Sequence, residues 1–317
     1  MKALVTGGAG FIGSHLVDYL VDAGHEVAII DNLSNGLESN INPAVKLWWG
    51  CSVESHHAKL RVEDFKPDVI FHLAALGSVP FSVKHPGQVF EANVNGSANM
   101  FNAARKVGAR VVFASSASYY GDDTTVSEFG PAAKTEDMPP RPLNHYGASK
   151  VCGEHWGKAF AQMHGLCFTA MRFFNVFGPR QRDDTPLAAV VPRFVKAVLD
   201  GELVELHNGG VQTRDMTYVA NVVDALIAVR LAPVERVAGQ AFNVCGNNKV
   251  SIGELLGRIT AEVHPDSPVK GQATPPRKGD IQDSFGSYEK LKAATGWEPK
   301  IIWQDGIKLT VEAKCGK

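Results

Sequence analysis

The chain has 317 residues, 44% of them hydrophobic, with 32 Lys and Arg against 33 Asp and Glu and a formal net charge of −1. That length suits one large domain or two closely packed ones, and the charge balance excludes binding driven by a broad electrostatic field toward nucleic acid or an anionic membrane surface. No run approaches the roughly 20 apolar residues of a membrane span.

Glycines and Asp18 break up any apolar signal core near the N-terminus, so a cytoplasmic location is expected. The five cysteines are odd in number and include no C-x-x-C. They read as free thiols rather than a disulfide framework or a zinc site.

Lys2-Ala3-Leu4-Val5-Thr6 reads as a short buried strand, and Gly7-Gly8-Ala9-Gly10-Phe11-Ile12-Gly13 follows at once. Ile12, Leu16, Tyr19 and Leu20 then recur at helical spacing as far as Gly24. Val27 to Ile30 is a second strand and ends in Asp31. Strand, glycine turn, helix, strand and acid make the arrangement of a dinucleotide site, in which the glycines let the backbone approach a pyrophosphate at the helix N-terminus. A carboxylate at Asp31 suits ribose hydroxyls and repels a 2′-phosphate, which favours NAD over NADP.

A loop rich in Asn, Ser and Gly covers Asn32 to Asn42. A strand is expected at Lys46–Trp49, a helix over 56–65, and a buried strand at Val69–Leu73 that ends in Ala74-Ala75. A long helix from Glu91 to Val107 carries Asn93. The strand Arg110–Ala114 exits into Ser115-Ser116-Ala117-Ser118. Residues 122–143 form a loop, and the next helix runs to about His164 with Tyr146 and Lys150 four apart on one face. A free tyrosine titrates near pH ~10. A nearby ammonium favours the phenolate, and such a pair can take a proton from a sugar hydroxyl. With the strand Cys167–Phe173, the alternation predicts an α/β fold built on a doubly wound, Rossmann-like parallel sheet.

After Gly178-Pro179-Arg180-Gln181 the segments shorten and prolines increase. Helices are expected at Val191–Leu199, Val222–Arg230, Ile252–Val263 (capped by Ser251), Leu291–Thr295 and Asp305–Lys314, with strands at Glu202–Leu206 and Ala241–Cys245. The predicted division is a dinucleotide-binding domain over 1–176, to which 215–245 returns, and a smaller α/β substrate domain over 177–317.

Together these segments resemble the extended short-chain dehydrogenase/reductases that act on nucleotide sugars, most of all the UDP-hexose 4-epimerases. The marks are the glycine turn, Asp31-Asn32-Leu33-Ser34, His72-Leu73-Ala74-Ala75, Asn93-Val94-Asn95-Gly96, Ser115-Ser116 with Tyr120-Gly121, Tyr146 to Lys150, Arg172 to Pro179, and Arg214-Asp215. They span nearly the whole chain. The resemblance implies NAD as cofactor, a UDP-sugar as substrate and a homodimer. The dimer would pair the helices around Glu91–Val107 and Ser149–His164 into a four-helix bundle.

By the same resemblance Tyr146 is the acid and base on the sugar 4-hydroxyl. Lys150 holds the nicotinamide ribose and lowers the tyrosine pKa, and Ser116 relays the proton. Gly7, Gly10, Phe11, Ile12, Gly13, Asp31, Asn32, Leu73, Ala74, Ala75 and Asn93 fall at cofactor contacts. Ser118 falls beside the sugar, and Asn175, Arg214 and Arg277 fall near the UDP phosphates. Gly77, Ser78, Gln181 and Ser284 resemble the small gate of epimerases that accept N-acetylated sugars.

The resemblance leaves the sugar open among UDP-glucose, UDP-N-acetylglucosamine and UDP-hexuronic acids. The 4,6-dehydratases carry an Asp-Glu pair where this chain has Ala117 and Ser118, and the decarboxylases carry a glutamate at the position of Ser118, so both activities are disfavoured. Non-enzymatic NAD-sensing relatives often lose the Tyr/Lys pair, which is intact here. Two departures stand out: Cys51 replaces an adenine-contacting aspartate, and Phe81 stands where many relatives have arginine.

Overall fold

The computed structural model describes residues 1–122, 126–127, 130–185, 188–266, 271–276 and 282–316. The chain opens with β1 (Lys2–Thr6), α1 (Phe11–Asp22), β2 (Glu26–Ile30), β3 (Leu47–Trp49), α2 (His56–Phe65) and β4 (Val69–His72). Next come α3 (Val79–Lys84), α4 (Pro86–Val89), a π-helical turn at Phe90–Asn95, α5 (Gly96–Val107) and β5 (Arg110–Ser116). A short hairpin, β6 (Val126–Ser127) and β7 (Gly130–Pro131), precedes α6 (His145–His164) and β8 (Phe168–Phe173).

The rest of the chain is more broken. It runs through β9 (Val176–Phe177), α7 (Val190–Leu199), β10 (Val204–His207), β11 (Thr213–Arg214), β12 (Thr217–Tyr218), α8 (Val219–Leu231), α9 (Val234–Val237) and β13 (Gln240–Val244). It ends with β14 (Val250–Ser251), α10 (Ile252–Val263), β15 (Gly271–Thr274), β16 (Asp283–Ser284), α11 (Glu289–Thr295) and α12 (Trp303–Lys314).

Among the described residues, β13, β8, β5, β4, β1, β2 and β3 form one sheet in that order, with every pairing parallel. β1 and β2 are buried at four of five positions and β4 at all four, as strands covered on both faces must be. Leu16 and Leu20 of α1 and Val222 and Leu226 of α8 cover one face, while Val62, Met100 and Phe101 from α2 and α5 cover the other. This is the doubly wound, Rossmann-like α/β fold that the alternation predicts. The strand order reverses between β1 and β4, and a doubly wound sheet opens its ligand crevice at the carboxyl ends beside such a switch. A third core, with Phe194, Val198, Leu255, Ile259 and Ile307, lies under the shorter strands that follow β8.

Two expectations need correction. The helix expected from Glu91 starts earlier, at α4, and passes through the π-helical turn before α5; α3 precedes it where no helix was expected. Pro80 and Pro86 look like breakers, but each sits in the first turn of its helix, where the missing N–H would have had no partner. β15, which pairs with β10, is also unforeseen, because Gly271-Gln272-Ala273-Thr274 has no period-2 apolar pattern.

α6 lies very close to the sheet. A Cβ added at Gly153 would come 2.5 Å from the Phe113 ring, and one at Gly157 would come 2.2 Å from the Phe168 ring. Both rings are themselves fully packed. Gly157→Ala is therefore expected to destabilise the fold by about 1–3 kcal/mol through overpacking. Urea unfolding monitored by circular dichroism checks this; a more stable variant would show that the helix can lift off at no cost.

Candidate active site

The site begins at the turn after β1. Gly7 has φ +73°, a conformation suited to glycine, and a Cβ there would lie 2.8 Å from the amide nitrogen of Ala74. At Gly13 a Cβ would lie 2.1 Å from the Gly7 carbonyl oxygen. The glycines thus bring β1, α1 and the end of β4 together. Gly10 caps α1 without a side-chain bond, so the first amides of the helix are left for an anion. At the end of β2, Asp31 Oδ2 accepts from the Ala9 amide at 3.0 Å and Oδ1 from the Leu33 amide at 2.8 Å. Burial pushes its pKa up, against those two bonds.

From this turn a cleft of about 1810 Å³ follows the strand ends. It passes Asn32, Cys51 and Leu73-Ala74-Ala75, reaches Ser116, Tyr146 and Lys150, and continues to Gly77, Ser78, Ser118, Asn175, Gln181 and Arg214. The structure thus brings together nearly all of the expected site residues. Asn93 is an exception. It is buried; its amide oxygen accepts from Leu76 N at 2.8 Å, and its amide nitrogen donates to Leu76 O at 3.2 Å and to Ser149 Oγ at 3.0 Å. It braces the loop after β4 against α6 instead of facing the cleft. Ser284 is also buried and is not among the cleft-lining residues; it pairs with Arg214 across β16 and β11. Arg277 lies outside the described residues.

Asn144 caps α6 by accepting from the Gly147 amide at 2.8 Å. This fixes the first turn of the helix and with it Tyr146, whose phenol faces Ser116 closely enough for that hydroxyl to act on its pKa. Lys150 is 3% exposed; its Nζ donates to the Ala114 carbonyl at 2.8 Å and lies 5.8 Å from the centre of the Tyr146 ring. Burial pulls Lys150 down to about 7, opposed by Glu154. Burial pushes Tyr146 up, opposed by its bond to Ser116. This corrects the expectation that Lys150 lowers the tyrosine pKa in the bare protein. The Lys150 ammonium is drawn to a backbone carbonyl, and at the phenol desolvation outweighs the opposing effect of Ser116.

Several cleft residues escape the sequence motifs. His207, Gln212 and Arg193 line the wall beside Arg214. His207 Nε2, Gln212 Oε1 and Gln181 Oε1 are buried without a partner, which marks them as candidates to meet a polar ligand. The signal for Gln212 lay in the Gln212-Thr213-Arg214-Asp215 stretch; His207 had none. Asp215 is fully buried and accepts from the amides of Gly246 at 2.7 Å and Gly286 at 3.3 Å, which holds three loops around Arg214. On the other rim, Arg180 pairs with Asp18 at 2.6 Å and His15 Nε2 meets the Pro179 carbonyl at 2.9 Å, tying α1 to the segment after β9.

The profile of the NAD dependent epimerase/dehydratase family matches residues 3–245. The chain belongs to that family. It is 37% identical over 325 residues to a UDP-glucose 4-epimerase of Mycolicibacterium smegmatis, covering 98% of both chains. It is 33% identical to a UDP-N-acetyl-alpha-D-glucosaminuronate decarboxylase of Bacillus cytotoxicus, covering 98% of this chain and 97% of the other. The crystal structure of a UDP-glucose 4-epimerase with UDP-glucose from Thermotoga maritima superposes with a TM-score of 0.93 at 34% identity, covering 100% and 99% of the two chains.

The cofactor of this enzyme family is NAD, and the cleft fits it. The crowded glycine turn, the helix N-terminus without a side-chain cap and the carboxylate at the end of β2 are complementary to a pyrophosphate and an unphosphorylated ribose. Among the described residues no cluster of His, Cys, Asp and Glu is arranged to hold a metal ion, and no helix is long and apolar enough to cross a membrane.

Lys150 sets a pH dependence. Its folded pKa, about 7, lies below the ~10.4 of an unfolded lysine. The unfolded chain therefore binds more protons between those values, and stability rises with pH across that window. Lys150→Met is expected to raise the melting temperature of the cofactor-free protein, most below pH 7 and progressively less toward pH ~10.4. Calorimetry at pH 6 and pH 9 checks it. A variant that melts below the wild type at pH 6, or a gap that ignores pH, would contradict the assignment.

Proposed function

We propose that this enzyme is a 4-epimerase of UDP-hexoses, acting on UDP-glucose and UDP-galactose or their 2-acetamido counterparts. The observation that carries the reading is the Ser116–Tyr146–Lys150 group at the cleft wall, followed by Ala117 and Ser118 and not by a second acid or base. An acid or base at those positions would take the chemistry on to dehydration or decarboxylation.

The residues divide the work as follows. Gly7, Gly10, Phe11, Ile12 and Gly13 take the pyrophosphate side of NAD; Asp31 and Asn32 take its adenosine ribose; Leu73, Ala74 and Ala75 line its path. When bound, NAD supplies a two-electron acceptor that takes hydride from C4 of the sugar and gives it back. Tyr146 removes the proton of the 4-hydroxyl, through Ser116 where that bond intervenes, and returns it once the 4-ketone has presented its other face. Lys150, held beside Tyr146 at the cleft wall, would hold the nicotinamide ribose. Asn175 and Arg214 anchor the UDP phosphates, which suits a guanidinium fork, so the sugar can turn while its nucleotide stays in place. Electrons and protons balance: the sugar is oxidised and reduced at one carbon, with no net change in cofactor.

Gly77, Ser78 and Gln181 give the sugar pocket small or amide-bearing walls, which leaves room for a 2-acetamido group. Phe81 in the same wall offers no cation to a uronic acid. The likeness to a decarboxylase keeps one second reading in view, decarboxylation of a UDP-hexuronate through the same 4-ketone. For the assembly, we propose a homodimer through α5 and α6, because α6 leaves Trp156 and Met163 56% and 76% exposed.

Proton NMR of the anomeric region, with UDP-glucose, UDP-N-acetylglucosamine and UDP-glucuronate offered separately, tests the reading. The expected result is a new 4-epimer without accumulated NADH. Release of CO₂ and a pentose product would move the enzyme to the decarboxylases. Tyr146→Phe is expected to lower kcat by about 10²–10⁴-fold while NAD and UDP still bind. Near-normal turnover by that variant would remove Tyr146 from the chemistry.

A further inference from the structure

α6 carries a third residue in line with Tyr146 and Lys150. Glu154 lies one further turn along the same face and is fully buried. Its Oε1 accepts from Ser115 Oγ at 2.5 Å and from Arg172 Nε at 2.9 Å, and its Oε2 accepts from Arg172 Nη2 at 2.8 Å. Arg172, on β8, is 1% exposed; its guanidinium sits 3.5 Å from the centre of the Tyr119 ring and donates Nη1 to the Tyr120 hydroxyl at 2.8 Å. Neither Glu154 nor Arg172 is among the cleft-lining residues.

A buried ion pair is weak support for stability and costly to halve, so one directly beneath a reaction centre asks for another explanation. The geometry supplies it. The end of β5 is bound to α6 twice, by Lys150 Nζ on the Ala114 carbonyl and by Glu154 on the Ser115 hydroxyl. Ser116, the next residue, meets Tyr146. Two consecutive residues of the strand are therefore fastened to successive turns of the helix, and the third faces Tyr146.

We propose that Glu154, neutralised by Arg172, is a positioning residue: it clamps the end of β5 so that Ser116 and Lys150 hold their places against Tyr146, and it sets beside Lys150 a neutral pair and not a bare charge of either sign. The catalytic consequence rests on the reading under Proposed function; the clamp itself does not. The titratable groups around Lys150 are Tyr146 and Glu154 on its own helix and His72 on β4. His72 is neutral, because burial takes it down to about 3. It is held between Thr6 Oγ1 at 2.7 Å and Ser97 Oγ at 3.0 Å. The charge that can be altered beside the ammonium is thus that of the Glu154–Arg172 pair.

The test reads Lys150 directly. Cofactor-free protein carrying lysine labelled with ¹³C at Cε is titrated by NMR, with the Lys150 signal identified by its loss in Lys150→Met. Glu154→Gln leaves Arg172 uncompensated and should lower the Lys150 midpoint by about one pH unit or more. Arg172→Gln leaves the carboxylate uncompensated and should raise it. The neutral double variant should return close to the wild type. In turnover, Glu154→Gln should move the alkaline limb of kcat to lower pH with little change in KM. Ser115→Ala leaves the pair intact, so it should lower kcat about tenfold or more without moving the Lys150 midpoint.

Midpoints that stay put in both single variants, or that move the same way in both, would overturn the proposal. Should Glu154→Gln fail to fold, the double variant and Ser115→Ala decide. A wild-type midpoint in the first with lost kcat in the second upholds the clamp, and a displaced midpoint in the first or full kcat in the second overturns it. If the wild type turned over no UDP-sugar, the functional reading would fall while the titration still decided the clamp.

Discussion

The distance between α6 and the sheet governs most of what this molecule does. Two glycines, Gly153 and Gly157, let the helix backbone rest on the rings of Phe113 and Phe168. With the helix that low, side chains at its N-terminal end reach the carboxyl ends of β5 and β8. Tyr146 meets Ser116, Lys150 meets the Ala114 carbonyl, and Glu154 meets Ser115 and Arg172. A helix one methyl group farther away would keep the same sequence motif and lose these bonds, because hydrogen bonds tolerate only a few tenths of an ångström. The Tyr-x-x-x-Lys spacing acquires chemical meaning from the packing beneath it.

That packing sets two opposed protonation tendencies side by side. Burial favours the neutral phenol at Tyr146 and the neutral amine at Lys150. The reaction proposed for the site needs the opposite at both, a phenolate beside an ammonium. Burial therefore works against both reacting forms in the bare protein, and the polar ligands of the cleft would work the other way. Sites of this kind are less stable than an apolar replacement would be, and proteins commonly accept that cost where chemistry is done.

The first half of the molecule was legible because its signals are local. A glycine turn between a buried strand and an amphipathic helix can be read from 13 residues, and so can the acid that ends β2. What stayed hidden depended on distance and direction. Asn93 is polar, close to the cleft and conspicuous in the sequence, but the π-helical turn points it inward at Leu76 and Ser149. Ser284 looks like a gate residue until β16 pairs beside Arg214 and buries it. The Glu154–Arg172 pair joins positions whose meeting requires the register of α6 on β8, which no spacing rule supplies. His207 carried no pattern at all, and Gln212 only its place just before Thr213-Arg214-Asp215; they matter because the fold leaves a polar atom on each without a partner.

The position of β13 has a consequence for how the protein is made. β8 lies beside β5 within the sheet, and its outer side is covered only when Gln240–Val244 arrives, after the entire segment from β9 to α9 has been synthesised. Until then the emerging chain presents Phe168-Thr169-Ala170-Met171 along an unpaired parallel edge, the kind of surface that joins to other chains. Parallel pairing across so long a loop is also slow to form. β13 thus closes that edge of the sheet from far along the chain, and the order of synthesis leaves the edge open in between.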